Sequence, residues 1–224
     1  MVDIETWKQL HNELTQKGVT QVAVSKTKPA EDIQALYDAG QRHFGENYVQ
    51  EVMEKQPALP NDINWHFIGH LQSNKVKYIA PFVYLVHGVD NSKLLQEINK
   101  QAAKHNRVID VLLQFYIAEE ESKFGMDEAE IKDSITLAQT LANVRIRGLM
   151  GMATNTDDMQ QVAKEFARLQ TFFNQLKQQY FATADWFDTR SMGMSGDYAL
   201  AIDNGSNMVR IGSLLFGARS YATK

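Results

Sequence analysis

Short apolar runs rich in β-branched and aromatic residues recur eight times along this chain, and segments with helical spacing separate most of them. The runs cover 21–25, 43–45, 64–69, 83–89, 108–116, 146–152, 186–191 and 208–212. Between them lie stretches such as 91–105, with Leu94, Leu95, Ile98 and Ala102 at helical intervals, and 157–180, with Val162, Phe166, Leu169, Phe173 and Leu176. Strands that alternate with helices pair in parallel, because each helix returns the chain to the starting edge. Eight such units in 224 residues predict one α/β domain over 1–224, a (β/α)8 TIM barrel near the short end of that fold's range, with an open doubly wound sheet as the alternative. An extra amphipathic helix is expected before the first strand, since Ile4, Trp7, Leu10 and Leu14 share a helical face.

Composition enters as a filter on function. With 44% hydrophobic and 22% charged residues the chain can bury one ordinary core. It contains no apolar run of the ~20 residues a membrane span needs, and its acidic start (Asp3, Glu5) is unlike a secretion signal, so a cytoplasmic protein with no membrane partner is expected. The absence of cysteine excludes disulfides, thiolate metal sites and cysteine nucleophiles. A net charge of -4 without a basic cluster argues against nucleic acid. Small molecules remain as ligands.

In such barrels the chemistry sits where strands end, so the residues after each apolar run are the ones that matter. Lys26 follows the first run, in Ala23-Val24-Ser25-Lys26-Thr27-Lys28-Pro29. A lysine there is either a solvated surface residue or an amine desolvated enough to form an imine with an aldehyde. In the last run, alternation puts Val209 and Ile211 on one face and Met208, Arg210 and Gly212 on the other. With the first pair against the helices, Arg210 points into the barrel, where an internal carboxylate or a bound heterocycle must accept its hydrogen bonds.

Gly212, Ser213 and the small residues Ser191 to Gly196 could supply phosphate donors, Ser195 also serving as N-cap of a helix over 197–202. The Gly212 to Gly217 spacing is not a P-loop, because Ala218-Arg219 stands where Lys-Ser/Thr is required. His66 and His70 lie on a strand-like run without a third ligand, which favours a pocket or interior histidine over a metal site.

Taken together, the segments AVSKTKP (23–29), FGENYVQE (44–51), WHFIGHLQSNK (65–75), ESKFGM (121–126), GLMGMA (148–153), SMGMSGDYALAI (191–202) and VRIGSLLFGAR (209–219) resemble the YggS/PROSC family of pyridoxal 5'-phosphate (PLP) homeostasis proteins. The resemblance implies a barrel like the N-terminal domain of alanine racemase, with PLP held as a Schiff base on Lys26. Lys28 shares the parity of Lys26, and the family motif alone chooses between them. It further implies that Arg210 faces the pyridine nitrogen, that Asn47 and His66 lie beside the ring, that Ser191, Ser195, Gly212 and Ser213 surround the phosphate, and that Lys123 can exchange with the cofactor. The chain departs from the family pattern at Tyr116, Met152-Ala153 and Arg190.

Two functions fit this picture. One is a non-catalytic carrier that buffers PLP and delivers it, with apo PLP-dependent enzymes as partners. The other is an amino-acid racemase, which in alanine racemases takes its second base from a further β-domain; here the sequence ends soon after the eighth run, so the carrier and a monomeric state are expected.

Overall fold

A computed structural model describes residues 2–119 and 124–217. Eight strands, β1 (Thr20–Val24), β2 (His43–Glu46), β3 (Asn64–Phe67), β4 (Leu85–Val89), β5 (Ile109–Gln114), β6 (Val144–Met150), β7 (Thr189–Met194) and β8 (Met208–Ile211), pair in sequence order and close into a barrel. Every pair is parallel, and closure comes from β1 against β8, where Val22 faces Arg210 and Ala23 faces Ile211. The closed barrel replaces the open sheet considered as the alternative.

Helices cover the outside. In chain order they are α1 (Ile4–Gln16), α2 (Ala30–Ala39), α3 (Val49–Lys55), α4 (Val76–Ile79), α5 (Ser92–Lys104), α6 (Glu128–Ala138), α7 (Met159–Tyr180), α8 (Tyr198–Asp203) and α9 (Ser213–Phe216). The expected extra helix is α1: Asp3 caps it by accepting the Thr6 N–H at 2.9 Å, and Trp7, Leu10 and Leu14 are buried while Ile4 is only partly so. Helix α7 buries Val162, Phe166, Leu169, Phe172, Phe173 and Leu176, each such side chain contributing about 1.5–3 kcal/mol of burial energy.

The core has two layers. The outer layer, between strands and helices, takes one face of every strand, including Ala23, Phe44, Trp65, Phe67, Val86, Val209 and Ile211. The inner layer is small and holds Val22, Leu85, Leu112, Met150 and Met208. Alternation places His66, His87, Ser191 and Arg210 on that inner face too, all buried, so the barrel interior is only partly apolar.

Two differences from the expected layout bear on the site. Strand β7 runs to Met194 rather than stopping at 191, because Ser191-Met192-Gly193-Met194 reads as a loop by composition yet pairs with β6 and β8. Its ladder therefore lies three residues further along. Ser195 does not cap the next helix: Asp197 is the N-cap residue, and the Ser195 hydroxyl instead accepts the Gly212 N–H at 3.1 Å.

Strand β6 carries a register shift against β5, and beyond it Gly148 takes φ +152° with its Cα against the Thr189 carbonyl. A Cβ there would collide with that backbone. Gly148→Ala is expected to lower stability by at least ~2 kcal/mol, read from the urea midpoint. An unchanged midpoint would contradict this account of the bulge.

Candidate functional site

Beyond Val24 the chain turns at once: the Lys28 amide donates to the Ser25 carbonyl at 3.0 Å, with Lys26 and Thr27 at the corner. Ser25 is buried, and Lys26 lines a cavity of about 270 Å³ at the carboxyl end of the barrel. Lys28 also lines it, but its ammonium donates to the Phe216 carbonyl at 2.8 Å, tying the lysine loop to α9. The cavity is completed by Asn47, Ile68, Met152, Met194, Ser195, Arg210, Gly212 and Ser213, among others. Among the described residues, three of its lining side chains are cationic and none is a carboxylate.

Both neighbours of Lys26 are gripped from β2 and α3. The Ser25 hydroxyl donates to Glu46 Oε1 at 2.7 Å, and the Thr27 amide donates to Glu51 Oε2 at 2.7 Å. Lys55 joins the two carboxylates, donating to Glu46 at 2.8 Å, Glu51 at 2.8 Å and the Ser25 carbonyl at 3.0 Å, which uses all three of its N–H bonds. Thr27 needs such a hold: its φ of +63° is left-handed, a conformation that costs a β-branched residue about 1–2 kcal/mol. Glu51 and Lys55, four residues apart on α3, were the available sequence signal for this brace, which the reading by strand ends passed over.

Burial pushes the Glu46 carboxyl up to about 7, against the pull of Lys55 and Ser25. Burial acts on Glu51 in the same direction, but the hydrogen bonds from Lys55 and the Thr27 amide outweigh it and hold its carboxyl below the ordinary value.

On the neighbouring strand β8, Arg210 is buried with no carboxylate bonded to it among the described residues. Its Nη1 donates to the Ser191 carbonyl at 2.8 Å and hydroxyl at 2.7 Å, and its Nη2 to the Gly151 carbonyl at 3.1 Å. The internal salt bridge weighed from the sequence is not the solution adopted. Burial lowers its pKa to about 10, which leaves the guanidinium charged at neutral pH. Nε–H and one Nη2 hydrogen have no partner among the described residues, and the side chain lines the cavity.

Asn47 follows β2, on the other side of β1 from Arg210. Its backbone packs so closely on Gly69 that any Cβ at Gly69 would strike it, and its buried Oδ1 accepts no hydrogen bond. A wider groove of about 870 Å³ adjoins the cavity through Asn47, lined by Tyr48, Met53, His70, Lys75 and Tyr78, and contains no other expected site residue.

Of the eight residues expected around a cofactor, Lys26, Asn47, Ser195, Arg210, Gly212 and Ser213 meet in the cavity. His66 and Ser191 do not line it. On β3 the inward residue nearest the mouth is Ile68, which places His66 one step deeper; the extension of β7 to Met194 does the same to Ser191. Both remain connected to the site, because His66 bonds His87 and His87 bonds Ser191 beside Arg210. His70 is on the rim, stacked on Phe124 and bonded to Asp90. Lys123 lies outside the described residues.

Two outcomes test the brace. Lys55→Met leaves two acidic groups around Glu46 without their shared cation and is expected to cost about 3–5 kcal/mol in denaturant unfolding. Because the folded-state pKa of Glu46 is raised, its contribution to stability is full below the ordinary 4.5 and is lost as pH rises through about 7. Glu46→Gln should therefore remove a fall in stability between those two values, and an identical pH profile in both proteins would refute the shifted carboxyl.

Comparison with known proteins gives the site its context. The family model "Alanine racemase, N-terminal domain" matches residues 4–220. A "Pyridoxal phosphate homeostasis protein" of Vibrio alginolyticus is 44% identical over 213 residues, covering 93% of this chain and 90% of the relative. PipY of Synechococcus elongatus PCC7942 is 36% identical and superposes with a TM-score of 0.89 without PLP and 0.86 with PLP bound, each covering 96% of this chain and 99% of that one. The chain thus belongs to the alanine racemase N-terminal domain family, among its pyridoxal phosphate homeostasis proteins.

Proposed function

We propose that this chain binds PLP in the cavity at the carboxyl end of its barrel and serves to hold and release the cofactor rather than to turn over a substrate. The convergence of Lys26, Asn47, Ser195, Arg210, Gly212 and Ser213 in one space carries the reading. The donor set fits the cofactor. Cationic lining without a carboxylate suits a phosphate, the orphaned Asn47 Oδ1 offers an acceptor, and the two unspent N–H groups of Arg210 suit a ring nitrogen. PipY, which has PLP bound in one of its structures, has the same fold over nearly its whole length.

Bound PLP supplies a reactive aldehyde and an aromatic ring able to withdraw electrons. The Lys26 amine, once deprotonated, adds to an aldehyde and expels water, forming a C=N bond that hydrolysis reverses; this makes the hold covalent and reversible. Ser25 and Thr27 keep that amine aimed inward. Arg210 donates to whatever occupies the ring-nitrogen position and disfavours a proton there, which weakens electron withdrawal and with it amino-acid chemistry. Ser195, Gly212 and Ser213 lie where a phosphate would be held. Relatives are named homeostasis proteins, which agrees with a carrier. Apo PLP-dependent enzymes are the class of recipient such a carrier would serve.

Purified protein mixed with PLP should develop imine absorption, and borohydride reduction followed by peptide mapping should place the label on Lys26. Lys26→Ala should abolish both signals. Label on Lys28 instead, or no bound PLP, would overturn the assignment. Holoprotein incubated with a panel of L-amino acids in deuterated water should show no D-isomer and no deuterium at Cα; turnover that disappears in Lys26→Ala would replace the carrier with a racemase.

A further inference from the structure

Three histidines that the cofactor site does not touch form an unbroken chain across the barrel interior. His43 Nδ1 lies 2.9 Å from His66 Nε2, His66 Nδ1 2.8 Å from His87 Nε2, and His87 Nδ1 3.0 Å from the Ser191 hydroxyl, which receives Arg210 Nη1 at 2.7 Å. The rings come from β2, β3 and β4, and from His87 on β4 the chain crosses the barrel to Ser191 on β7 and Arg210 on β8. His66 and His87 are fully buried and His43 partly so.

Hydrogen-bond counting gives the chain a direction. Guanidinium can only donate, so Ser191 Oγ must accept from Arg210. The serine proton then has one partner left, His87 Nδ1, and in a fully buried hydroxyl it would otherwise be stranded. His87 must therefore carry its own proton on Nε2 and donate to His66 Nδ1, and His66 must do the same toward His43 Nδ1. The opposite polarity leaves the serine hydrogen without an acceptor. Burial holds His66 and His87 well below the usual histidine range, with His87 and His43 adding to it at His66 and Arg210 and His43 adding to it at His87, so the rings are neutral and this is a chain of tautomers.

We propose that His43, His66 and His87 are positioning residues for Arg210: a one-way chain of Nε2–H tautomers that presents lone pairs to its end of the barrel and takes the place of a carboxylate counter-ion. A carboxylate in that position would satisfy Arg210 by itself and draw its remaining N–H groups out of the cavity. The chain stabilises the cation with aligned dipoles while leaving Nε–H and one Nη2 hydrogen for the ligand. Asp197, the carboxylate whose charge Arg210 feels, accepts the Met194 amide at 2.6 Å and makes no bond to the guanidinium. Only the link to ligand affinity rests on the PLP reading; the polarity of the chain does not.

Two measurements test it. Long-range 1H–15N correlation of histidine-labelled apoprotein, assigned with single His→Gln variants, should show His43, His66 and His87 protonated on Nε2 and bare on Nδ1 at neutral pH. An Nδ1–H tautomer or an imidazolium at His66 or His87 overturns the proposal without reference to any ligand. In PLP titrations, His87→Phe should bind roughly tenfold more weakly or worse, while His87→Asn, whose Oδ1 can replace the Nδ1 acceptor, should recover most of the loss. Phe binding as tightly as the parent, or Asn no better than Phe, also overturns it. If His87→Phe fails to fold, the tautomer pattern of the parent decides. A parent that does not bind PLP removes the cofactor reading, and the tautomers still decide the chain.

Discussion

A guanidinium inside a barrel, with no carboxylate to meet it, is the constraint around which this interior is arranged. An unpaired buried charge would cost several kcal/mol, and small barrels ordinarily avoid the problem by filling their centres with branched apolar side chains. Here the apolar inner layer shrinks to five residues, and the remaining inward positions on β3, β4 and β7 are given to His66, His87 and Ser191. Carbonyls of Ser191 and Gly151 and the serine hydroxyl share the charge. Arg210 thus stays protonated although burial pulls its pKa down, and it keeps donors in reserve.

The lysine wall solves a different problem by similar means. Lys26 must present an amine to the cavity from a segment that leaves its strand and turns within a few residues, and Thr27 bears the conformational cost. The turn itself makes the solution possible. With Lys26 on the cavity, its two neighbours meet Glu46 of β2 and Glu51 and Lys55 of α3, none of which lines the cavity. Strain beside a reactive group persists only where the surroundings over-determine it, and five hydrogen bonds from one small cluster do so here.

The features legible in the sequence were those written in local periodicity. Val209 and Ile211 against the helices with Arg210 inside followed from alternation alone, as did the face of α1, and eight ordered runs implied the barrel. Strand β7 was displaced because its serine, glycine and methionines carry no strand signature; its partners on β6 and β8 make it a strand. His66 was noticed but assigned to the pocket, since periodicity gives a residue's face and not its depth. His43 and His87 drew no notice, because their meaning lies in contacts between strands 21 or more residues apart, which depend on register. The Glu46–Lys55 contact was hidden for another reason: it spans nine residues and depends on how α3 folds back on β2.

The two networks meet through the closure of the barrel. Strands β1 and β8 are neighbours, with Val22 paired to Arg210, so the lysine and the arginine rise from adjacent strands to the same mouth. One network is ionic and lies outside the barrel wall; the other is neutral and runs through its centre. Their placement explains how a chain of net charge -4 keeps a cavity with Lys26, Lys28 and Arg210 and no acid in its lining. The carboxylates that position Lys26 act through the residues on either side of it, and the group that steadies Arg210 carries no charge. Positive charge is therefore gathered at one mouth, which suits a phosphorylated ligand.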